Sequence, residues 1–150
     1  MMKFLNEEVK LEINVIGYEY EHSRDNDDSN WLIVQIYIER FNGQSWSATD
    51  PCLRTMELVE LREWLLSVLE KKVSLPKLYF MENELFFIHD GNGNISIALD
   101  YALHPNWKKY DFNNDSEEVF NFLLDDDELK KLIIELDKLI ILFPERKFDC

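Results

Sequence analysis

The groups of this 150-residue chain that could make or break bonds, or hold a metal, are thirty carboxylates, three histidines and two cysteines. With so many Asp and Glu, pairs such as Glu60/Glu63 and Asp125/Asp127 arise at any separation from composition alone, so they give no specific sign of acid and base work of the glycosidase kind. His22, His89 and His104 lie far apart, and none stands in a His-x-x-x-His or Cys-x-x-Cys spacing that would hold zinc. They read as turn and strand-end residues. Cys52 and Cys150 are too few and too distant for a disulfide framework, and Cys52 has no neighbouring His or Lys to make it a nucleophile, so it reads as a small buried residue. Asp25 to Asp28 lacks the glycine and terminal Glu of a calcium loop. Asp90-Gly91-Asn92-Gly93-Asn94 joins two strands and leads into no helix, so it is a hairpin turn, not a phosphate cradle. Ser45 and Ser47 lack the strand-turn-helix elbow of a serine nucleophile. These residues predict no catalytic set, no metal and no cofactor, and hence no enzyme.

What remains is charge. Sixteen basic against thirty acidic residues leave a net charge of −14, which argues against a broad electrostatic grip on nucleic acid or an anionic membrane and favours a basic partner. The imbalance concentrates between Asp111 and Glu128, where eight carboxylates stand without one Lys or Arg. Acidic residues follow the first apolar ones by Glu7, too early for a secretory signal, and the most apolar segment, Leu129 to Phe143, is interrupted by five charged side chains. A cytoplasmic protein of one domain, 1–150, is expected.

The elements follow from periodicity. Val9, Leu11, Ile13 and Val15 alternate with polar residues as a strand does, and Tyr18 to Asn30 reads as an exposed acidic loop. Trp31 to Phe41 and Gln44 to Thr49 form a hairpin about Asn42-Gly43, with Pro51 ending the second strand. Thr55 then caps a helix with an apolar stripe of Leu58, Leu61, Leu65, Val68 and Leu69, Trp64 lying near its edge. Leu78 to Met81, Leu85 to His89 and Ile95 to Leu103 read as an antiparallel meander, and Glu118 to Leu124 as a last strand. Asp125 and Glu128 resemble a capping box for the closing helix, which buries Leu129, Leu132, Ile133, Leu136, Leu139, Ile140 and Phe143 and stops at Pro144. The predicted class is α+β: a largely antiparallel sheet of about six to seven strands packed with two helices, at about 55–72 and 126–143, without internal repeat or linker.

The segment Ser45 to Leu65, SWSATDPCLRTMELVELREWL, resembles the WapI family of bacterial immunity proteins through Trp46, Asp50, Pro51, Leu53, Thr55, Glu57, Leu58, Trp64 and Leu65. A looser likeness extends to Asn30-Trp31-Leu32 and to Phe143-Pro144. The resemblance implies an antitoxin that neutralises, by binding, the toxic C-terminal domain of a secreted contact-dependent toxin, commonly an RNA-cleaving nuclease. Such a toxin must present a cationic surface to its substrate, and an acidic protein is suited to meet it. Candidate partner-binding residues are Asp25, Asp27, Asp28, Glu60, Glu63, Asp115, Glu117 and Asp126, with Trp31, Tyr37 and Trp107 as possible aromatic anchors. The alternative is a non-catalytic interaction module whose acidity serves solubility only. A hydrolase would instead require two convergent carboxylates of displaced pKa in a deep pocket. The oligomeric state is left open.

Overall fold

The computed structural model describes residues 1–72, 75–105, 111 and 116–148. Its elements run β1 (Met2–Leu5), β2 (Val9–Tyr18), β3 (Trp31–Arg40), β4 (Ser45–Arg54), α1 (Thr55–Leu69), β5 (Lys77–Leu78), β6 (Leu85–His89), β7 (Asn94–Leu99), β8 (Glu118–Leu123) and α2 (Asp126–Leu142). The strands form two four-stranded antiparallel sheets, β1-β2-β3-β4 and β5-β6-β7-β8, each followed in the chain by one helix. The α+β class is as expected. The strand count is slightly higher, and the strands divide between two sheets.

The extra strand is β1. Met2 and Phe4 are buried while Lys3 and Leu5 face water, and Phe4 pairs with Leu11 in the register. One core runs through both sheets and both helices. Leu11, Ile13, Leu32 and Ile36 from the first sheet meet Phe87, Ile97 and Phe122 from the second, and Leu58, Leu61 and Leu136 from the helices, all under 2% exposed. The rings of Phe4 and Phe122, 5.4 Å apart, join the sheets directly.

Pro51 does not end β4. The register pairs Val34 with Asp50 and Leu32 with Leu53, so Pro51 and Cys52 together oppose Ile33 in a β-bulge. Proline has no N–H to give the ladder, and the bulge is where a strand can do without one. Cys52 and Leu53 are consecutive buried residues, so the bulge also breaks the strand's in-out alternation.

Thr55 is the first helical residue, not the cap; the cap is Arg54, whose backbone N–H donates to Glu57 Oε1 at 2.9 Å. Thr55 is buried and directs its hydroxyl to Asn30 Oδ1 at 3.4 Å. Trp64 lies fully within the packed stripe, 5% exposed, with its indole N–H donating to Leu75 O at 2.7 Å. The start of α2 is as read: Asp125 Oδ1 accepts from Glu128 N–H at 2.8 Å and Glu128 Oε1 from Asp125 N–H at 3.3 Å. The segment from Ile95 leaves the sheet at Leu99, and Tyr101–Leu103 form a 3₁₀ turn started by Asp100, whose side chain accepts from Tyr101 N–H. Near Leu78 only Lys77 and Leu78 pair, so that strand is shorter and begins earlier than expected.

Gly93 is one position where only glycine fits. Its φ is +88°, and a Cβ there would come within 3.1 Å of Leu124 O. Gly93→Ala should lower stability by about 1–2 kcal/mol, read as a shifted urea midpoint with unchanged m-value. No change in midpoint would mean that this turn relaxes freely.

Candidate functional site

The acidic loop between β2 and β3 is held in place by the end of the chain. Asp25 Oδ1 accepts the N–H groups of Asp27 and Asp28 at 2.9 and 3.0 Å, closing the turn on itself. Beneath it, Asn30 Nδ2 donates to Arg146 O at 2.9 Å and Asn30 Oδ1 accepts from Arg146 N–H at 2.7 Å. Asn26 makes the same two-way exchange with Phe148. The Arg146 guanidinium donates to the carbonyls of Ser29, Glu21 and Tyr20 at 2.9, 2.8 and 2.9 Å and lies 3.8 Å over the Tyr18 ring. Tyr18 in turn donates its hydroxyl to Pro144 O at 2.7 Å. With the inward carbonyls satisfied, the carboxylates of Asp25, Asp27 and Asp28 are left exposed on a fixed loop.

That loop adjoins the start of α1. The Arg54 guanidinium lies 5.8 Å from the Trp31 ring centroid and bonds Glu57 through Nε at 3.2 Å. The Glu57 hydrogen bond raises the Arg54 pKa, and the nearby charges of Glu60 and Asp27 push it the same way. Asp27 of the loop and Glu60 of α1 thus both act on the guanidinium that lies over the Trp31 ring of β3. Glu57 itself is 1% exposed and its Oε2 accepts Met81 N–H at 2.8 Å, which fixes the loop after β5 against α1.

The other sequence-predicted residues that the structure describes are not part of this group. Glu63 is exposed one turn along α1 and is paired with Arg62, which also bonds Asp137 of α2. Tyr37 is on β3 six residues beyond Trp31, about 20 Å along the strand, with Lys10 Nζ 5.9 Å from its ring centroid. Asp126 lines a separate cleft with Lys71, Lys72 and His89. Glu117 is exposed ahead of β8. Trp107, Asp115 and Cys150 lie outside the described residues. The sequence reading missed Arg146, which organises the acidic loop. Its partners are backbone carbonyls up to 126 residues away, and no side-chain spacing signals such a contact.

A second cluster, of two half-buried carboxylates and the buried Cys52, lies at the β4 bulge. Single ligand atoms of Asp50, Cys52 and Glu84 all lie within 4.8 Å of one another. Burial, then the hydrogen bond and charge of Asp50, push the Glu84 carboxyl up to about 8, so it keeps its proton at neutral pH. Burial pushes the Cys52 thiol up as well, leaving it inert as a nucleophile, in keeping with the sequence reading. Two carboxylates thus converge, of which Glu84 has a raised pKa, and Glu84 Oε2 is shut off from solvent.

A carboxyl raised from 4.5 to about 8 gives stability that is fully present below pH 4.5 and lost as pH rises through 8. The slope is below the ~1.4 kcal/mol per pH unit of a full proton difference, since Glu84 retains some contact with water. Glu84→Gln, measured by urea denaturation with chelator present, should flatten the profile between about pH 5 and 9 and exceed the parent by ~1–2 kcal/mol at the alkaline end. Parallel profiles for the two proteins would show that Glu84 ionises normally.

The two-sheet α+β architecture, with an exposed carboxylate loop locked in place from beneath, suits a binding protein. The model of the immunity protein WapI-like family matches residues 3–144, and the chain belongs to that family; it is an immunity protein by class. No curated protein matches it. Among solved structures, that of the plant transcriptional regulator PBF-2 aligns over 94% of this chain and 79% of its own, with TM-score 0.50 and 12% identity, a likeness of fold alone. Among the described residues, no helix is long and apolar enough to cross a membrane.

Proposed function

We propose that this chain is a cytoplasmic antitoxin that binds the C-terminal domain of a secreted contact-dependent toxin, an RNA-cleaving nuclease, and does no chemistry itself. The observation that carries the reading is that exposed carboxylates from two elements, Asp27 on the clamped loop beside Asp25 and Asp28, and Glu60 on α1, both act on the Arg54 guanidinium, which lies over the half-buried Trp31 ring. A nuclease that grips a polyanion offers cationic side chains, and a preorganised acidic face meets them without first ordering a loop. Trp31, with the Arg54 guanidinium over its ring, is the apolar anchor of this reading. Binding of this kind needs no direct contact between the chain and nucleic acid, no membrane and no cofactor.

Co-expression with the toxin domain encoded by the adjoining gene tests the reading. The expected outcome is rescued growth and a complex that survives purification. Growth arrest despite soluble expression of both chains would contradict it, and leave the acidity to solubility alone.

A further inference from the structure

We infer that the solvent-facing stripe of α1, Met56 and Val59 beside Glu60 and Glu63, receives an apolar side chain of the toxin domain that is flanked by basic ones. The inference rests on the antitoxin reading and adds to it the place where α1 makes its apolar contact. Positions 56, 59, 60 and 63 follow one another at spacings of three and four, so their side chains share one face of the helix. That face is the wet one. Met56 and Val59 are each 42% exposed, and Glu60 and Glu63 are exposed with them, whereas Leu58, Leu61 and Leu65 of the same helix are fully buried. Two large apolar side chains one turn apart make a contiguous patch, unlike apolar residues exposed singly. Met81, also exposed, adjoins the same turn, because its N–H is fixed to Glu57 Oε2 at 2.8 Å.

Charge identifies the occupant. The stripe holds two carboxylates and no basic side chain, and Arg62, just off it, is shared between Glu63 and Asp137 of α2. Glu60 and Asp27 both bear on Arg54, which makes the stripe continuous with the acidic loop. A partner that covers it must therefore bring cations around its apolar contact. A surface that grips a polyanion has them, and a second copy of this chain, at a net charge of −14, is repelled. The exposed apolar residues of α2 make the contrast. Ile134 and Ile141 are more exposed than either residue of the stripe, yet Ile134 stands four positions from both Lys130 and Lys138, and Ile141 three from Lys138. A cationic partner is turned away there. Methionine on the α1 stripe adds adaptability, since its unbranched, polarizable side chain shapes itself to what it meets.

The test is the binding kinetics of the full chain with the toxin domain encoded by the adjoining gene, measured for the parent and two double variants. One is Met56→Gln with Val59→Gln, and the other is Ile134→Gln with Ile141→Gln. All four positions are exposed, and glutamine favours helix and leaves the charge unchanged, so both variants should fold. The α1 variant should bind about 10²-fold more weakly, nearly all of it as faster dissociation, because apolar contact acts after encounter whereas charge acts on encounter. The α2 variant should bind as the parent does. Unchanged affinity in the α1 variant, or an equal loss in the α2 variant, would overturn the assignment. So would a dimer of the free parent, seen by sedimentation, that the α1 substitutions dissociate, since the stripe would then belong to a second copy. Each of these results leaves the antitoxin reading in place as long as the parent binds, whereas a parent that does not bind the toxin domain overturns both.

Discussion

Arg146→Ala is expected to lower stability by about 2–4 kcal/mol and to release the acidic loop from its fixed position. The guanidinium serves three carbonyls, those of Tyr20, Glu21 and Ser29, and covers the Tyr18 ring. Alanine removes the donors and the stacking together, leaving carbonyls that had a charged partner without one. Lysine should recover only part of the loss, because a point-charge ammonium cannot present a planar fork to several carbonyls or stack on a ring. The loop should respond more strongly than the core. Amide exchange at Ser29 and Asn30, whose N–H groups bond Asp25 O and Asp27 O, should accelerate far more than exchange at Leu11 or Ile36. Equal acceleration everywhere would mean that Arg146 supports the whole fold, and no acceleration would remove it from the account.

The second large effect is on association. Replacing Asp27, Asp28 and Glu60 by lysine adds two positive charges at each position and takes the net charge from −14 to −8. These three side chains are exposed, and Asp25, whose carboxylate closes the turn, is kept, so the variant should fold with a midpoint close to the parent's. Its association rate with the toxin domain should fall by about 10²-fold at low salt, with a smaller difference at high salt, because steering by a charged face is screened. Protection of growing cells should fall with it. Reversing Asp126, Glu117 and Asp127 instead changes the net charge by the same amount elsewhere, and should leave protection close to the parent's. That pairing separates a specific face from general acidity: equal losses in both variants would assign the effect to net charge alone.

The elements whose evidence is local were legible in the sequence. Helix α2 carries its capping box, its apolar stripe and its terminating proline within twenty consecutive positions, Asp125 to Pro144, and each behaves as its chemistry dictates. The alternation of Val9 to Val15 and of Leu32 to Ile38 likewise marks strands wet on one side. Periodicity does not say which strand pairs with which sheet, so the division into two sheets was hidden, and β1 is too short to show a pattern. Pro51 misled because a ladder usually ends at proline, whereas here a bulge absorbs it.

The site was legible as residue types and not as a place. Asp25, Asp27 and Asp28 announce an exposed acidic loop, but nothing local links them to Glu60, whose helix starts directly after Arg54, the partner of Trp31 in the β3–β4 register. Arg146 acts on backbone carbonyls, which every residue possesses, so its partners leave no trace in composition. The Asp50–Glu84 pair depends on the contact between the two sheets, a relation that strand periodicity cannot express.

The central claim is that one acidic face, and no reacting group, meets the toxin. Amide hydrogen exchange of the chain with and without an excess of the toxin domain locates that face directly. Protection should appear on the loop around Asp25 to Trp31 and on the first turns of α1, from Arg54 to Glu63, and should be absent from β7 and β8. Protection confined to those distant strands, with the acidic loop exchanging as freely as before, would contradict the account.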